Sequence, residues 1–105
     1  MPKFRNIYVI VPTRHDLSKL IAEGNKIIHC TTGYEQLEEI IPTVLSNAKD
    51  FDPDMDAVLA VGKVNWCMLA GIAFAKLAEG QPVTIGSFNN KQSKGVYEWR
   101  PIHIG

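Results

Sequence analysis

The chain has 105 residues, 46% apolar and 21% charged, with 11 basic and 11 acidic side chains and no formal net charge. That is one domain's length, enough for a core without metal or disulfide staples, and the composition excludes an intrinsically disordered chain. Neutrality removes long-range attraction to nucleic acid. It also removes the self-repulsion that keeps monomers apart, so a homo-oligomer is expected and a nucleic-acid partner is not.

Residues 4–11 open with a β-branched and aromatic run, Ile7 to Val11, closed by Pro12. A continuous apolar run bounded by a breaker predicts a central strand, buried on both faces. The run is too short for a signal-peptide core and lacks a cleavage site, so a cytoplasmic location is expected. Over residues 13–24, Leu17, Leu20 and Ile21 have helical spacing. Asp16 is placed to cap one or two turns and Gly24 to close them. Residues 26–30 predict a second strand.

Thr32 and Glu35 have capping-box spacing. After them Leu37, Ile40, Ile41, Val44, Leu45 and Ala48 form one helical stripe. Pro42 interrupts it and is expected to kink or split the helix. The Asp- and Pro-rich residues 50–54 predict a loop. Residues 57–61 are a wholly apolar strand ended by Gly62. From 64 to 79 the pattern is helical, with Met68, Leu69, Ile72, Ala73, Lys76 and Leu77 as the recurring set. Small residues at Ala70, Gly71, Ala73 and Ala75 make one surface thin, and Gly80 is a stop signal. No stretch approaches the ~20 apolar residues of a membrane span. The nearest, 63–80, contains Lys63, Asn65, Lys76 and Glu79.

Residues 83–88 predict a strand and 89–95 a polar turn. Residues 96–104 alternate, with Tyr97 and Trp99 on one side and Val96, Glu98 and Arg100 on the other. Pro101 marks an edge strand. The whole order predicts one α/β domain over residues 1–105. It is a single small sandwich, a mostly parallel five-stranded sheet with helices packed on it and a C-terminal antiparallel hairpin.

Ligands of such sheets collect beyond the carboxyl ends of the strands. Gly62, Lys63 and Asn65 stand at a strand-to-helix turn, where free N–H groups and a cation suit phosphate or carboxylate. They complete no dinucleotide or P-loop fingerprint. Arg14 and His15 follow the first strand, where Arg14 suits an anion and His15 a base near neutral pH. Thr31, Thr32, Gly33 and Tyr34 follow the second strand, and a capping box explains Thr32. The three histidines, His15, His29 and His103, show no metal spacing, and no cofactor motif is present, so neither metal nor cofactor is expected. Cys30 and Cys67 read as small buried hydrophobes. Lys91, Lys94, Tyr97, Trp99 and Arg100 gather basic and aromatic groups at the hairpin. With Gly71 on the thin helix surface, Tyr97 and Trp99 are the candidate interface residues.

Residues 56–62 (Asp-Ala-Val-Leu-Ala-Val-Gly), then Asn65, the small-residue stretch 69–73, and the closing 95–102 resemble small phage-encoded α/β proteins of unassigned function. The resemblance covers the C-terminal half. Those proteins often carry proline after the glycine, where this chain has Lys63 and Val64. It implies a phage or environmental origin and supplies no activity. The leading expectation is therefore a small accessory binding protein, taking an anionic small molecule or nucleotide at Arg14, His15, Gly62, Lys63 and Asn65. No residue is assigned a catalytic role in that reading. The alternatives are a protein-interaction module using Gly71, Tyr97 and Trp99, and a small phosphate-directed hydrolase or nuclease with His15 as base.

Overall fold

A computed structural model describes residues 3–13, 17–89 and 96–104. Its elements run β1 (Asn6–Val9), α1 (Ser18–Ala22), β2 (Lys26–His29), α2 (Leu37–Asn47), β3 (Ala57–Leu59), α3 (Val64–Ala78), β4 (Val83–Asn89) and β5 (Val96–Ile102). The strands form one mixed sheet in the order β2-β1-β3-β4-β5. The first three pairings are parallel and β4–β5 is antiparallel. β1 lies between two neighbours, with Tyr8 flanked by Ile28 and Val58. This accounts for its unbroken apolar run: Ile7, Tyr8 and Val9 are all buried.

The two sides of the sheet are covered differently. On one side Tyr8, Ile10, Val58 and Val83 pack with Ile40 and Val44 of α2 and with Trp66, Ala70, Ala73 and Phe74 of α3. Tyr8, Phe51 and Phe74 meet edge to face, with ring centroids 5.1 to 5.9 Å apart. Each such pair adds about 0.5–1.5 kcal/mol beyond its buried area. On the other side Ile7, Val9, Leu59 and Val61 pack with Leu20 of α1. The five-residue α1 cannot span the sheet. Phe4, Tyr97 and Trp99 extend this second layer, with the Phe4 and Trp99 rings 4.9 Å apart. An antiparallel hairpin needs no crossover helix, so joining β4 directly to β5 adds no helix over β5 among the described residues, while Val83 of β4 packs in the α2–α3 layer.

Two helices depart from their sequence reading. Glu35 does accept from the Thr32 N–H, at 2.9 and 3.1 Å to its two oxygens. That contact closes a turn ahead of the helix, because Gly33 takes a φ of +92°. The cap of α2 lies four residues after the expected one, with Gln36 and Glu39 forming the capping box. The helix also continues through Pro42. Proline removes the donor that would meet the Glu38 carbonyl. Glu38 and Pro42 are both exposed, and a backbone bond missing on the solvent side of a helix costs less than one missing in the core.

α3 is turned relative to expectation. Its buried side is Trp66, Ala70, Ala73, Phe74 and Ala78. Met68 and Ile72, expected inside, are 68% and 48% exposed. Trp66 and Phe74 have the most apolar surface to remove from water, and burying both swings Met68 and Ile72 outward. The stop is shared, with Glu79 at φ +51° and Gly80 at +87°.

At the amino ends of the strands, a buried carboxylate fastens the 50–56 loop to β1. Asp56 accepts from Arg5 Nε at 3.0 Å and Nη2 at 2.7 Å, from the Asn6 N–H at 3.1 Å and from the Asp52 N–H at 2.8 Å.

Candidate functional site

The order β2-β1-β3 makes the carboxyl ends of β1 and β3 the point where the chain leaves the sheet in opposite directions. From β1 it turns out through α1 to β2. From β3 it turns out through α3 to β4. Crevices of α/β sheets open at such a switch point. The two exits touch. Gly62 follows β3 with a φ of +118°, and a Cβ there would lie 2.7 Å from Val11 Cβ and Cγ2. Only glycine lets the β3 exit sit this close to the β1 exit.

Lys63 is the N-cap of α3, and Asn65 is exposed in its first turn. No side chain among the described residues caps this helix, and its first intrahelical bond is Cys67 N–H to Lys63 O at 3.0 Å. The N–H groups of Val64, Asn65 and Trp66 therefore present partial positive charge at the switch point. Lys63 Nζ adds a full charge, held 4.9 Å from the centre of the Trp66 ring.

The donors that follow β2 are already used. Thr31 is buried and its hydroxyl donates to Ile10 O at 2.7 Å. Glu35 accepts from the N–H groups of Thr32 and Gly33. Burial tends to raise the Glu35 carboxyl, but the N–H groups around it outweigh that and hold it below its ordinary range.

Gly62, Lys63 and Asn65 are thus brought to one edge with Val11. Arg14 and His15, the other two expected ligand residues, lie outside the described residues, as do Lys91 and Lys94. The candidate interface residues do not share a surface. Gly71 borders a small apolar cleft on the α2–α3 side, whereas Tyr97 and Trp99 pack on the α1 side. His29 and His103 are exposed, and among the described residues no three His, Cys, Asp or Glu side chains converge as metal ligands would.

One feature had no signal in the sequence. An open groove of about 640 Å³ lies at the amino ends of the strands, lined by Arg5, Lys49, Asp52, Asp54, Lys76 and Glu79 among others. Its walls mix both charges, and Arg5 is committed to Asp56 and to the Asp50 carbonyl. The groove runs between the 50–56 loop and the end of α3.

No protein-family model matches this chain, and no curated protein or solved structure is significantly similar to it. A reading of function rests on the residues themselves.

Proposed function

We infer that this protein binds a small anionic molecule, a nucleotide or another phosphate- or carboxylate-bearing compound, at the carboxyl edge of β1 and β3. The observation that carries the reading is the uncapped start of α3 directly behind Gly62, at the switch point of the sheet. A 15-residue helix aims its free N–H groups there, and Lys63 stands beside them. Arg14, three residues beyond Val11 in the sequence, is the second cation assigned to the ligand. The role is that of an accessory binding protein of phage-like origin.

A thermal-denaturation panel of nucleotides and inorganic phosphate tests this, since a ligand of the native state raises the melting temperature by mass action. At least one compound is expected to raise it, with the shift reduced in both Lys63→Ala and Arg14→Ala. Shifts that survive unchanged in both variants, or no shift with any compound at millimolar concentration, sink the reading. A second reading, as a protein-interaction surface, is favoured by the apolar outward row of α3.

A further inference from the structure

We draw no further inference here: the strongest candidate, the exposed apolar row of Val64, Met68 and Ile72 along α3 beside the small cleft at Gly71, carries none, because nothing in the structure shows what covers it.

Discussion

Gly86 of β4 lies directly beneath the indole of Trp99, its partner across the β4–β5 pair. A Cβ at position 86 would fall within 2.8 Å of Trp99 Cη2 and overlap two further ring carbons. Among the described residues the buried indole N–H has no hydrogen-bond partner, and the ring packs against Gly86 and Phe4. The ring is broad and fixed between Gly86 and Phe4, so it cannot step aside as a flexible chain end would. Gly86→Ala is expected to cost about 1–3 kcal/mol, the range for overpacking a filled site. Urea unfolding would show a lower midpoint at an unchanged slope. A midpoint equal to the parent's would show that the ring is not held there.

Asp56 and Arg5 form an unequal pair. The Asp56 side chain is fully buried while that of Arg5 is 40% exposed. Asp56→Ala strands the N–H groups of Asn6 and Asp52 as well as the guanidinium, and is expected to cost about 1–3 kcal/mol or more. Arg5→Ala leaves the carboxylate its two backbone donors, and water can reach the vacated side. Its cost is expected to be clearly smaller. Equal losses in denaturant unfolding would show that the guanidinium, not the backbone, holds the 50–56 loop.

The two cysteines should differ in reactivity. Burial pushes the Cys30 thiol up to about 12, and raises that of Cys67 by less. Raised values mean fewer thiolates at neutral pH, and Cys30 is also wholly enclosed. An aromatic disulfide reagent at pH 8 is expected to modify one thiol slowly, Cys67, and the second only on unfolding. Cys67→Ser should abolish the native-state reaction. Prompt native reaction of two thiols would contradict the packing around Cys30.

Much of the fold is legible in the sequence because its signals are local. The apolar runs at residues 7–11 and 57–61 and the helical spacing in α2 and α3 place two strands and two helices, and the shorter runs at 26–30, 83–88 and 96–104 with the spacing of Leu17, Leu20 and Ile21 complete the order. What is not legible depends on competition between equals. Glu35 and Glu39 both have capping-box spacing to a polar residue three positions earlier, and the φ of Gly33 decides between them. An apolar stripe names the inner side of a helix only when the other sides are polar, and α3 has no such contrast. Alternation in β5 separates Trp99 from Arg100, but it cannot tell which of the two sides shares a surface with Gly71. At the candidate site, Gly62 and Lys63 are visible as a strand end. The contact of Gly62 with Val11 is not, since nothing local links positions so far apart.

The ring contact between Phe4 and Trp99 spans nearly the whole sequence, and this bears on how the protein is made. During synthesis β1, β2 and β3 can pair, and α2 and α3 can dock, while β5 is still inside the ribosome. Until Trp99 emerges, the layer over Leu59 and Val61 lacks its aromatic cover. A nascent or truncated chain that stops before β5 would leave β4 as an unpaired edge beside that bare patch, a surface for chaperones or for aggregation. The last aromatic residue of the sequence is thus the one that closes the layer opened by the first.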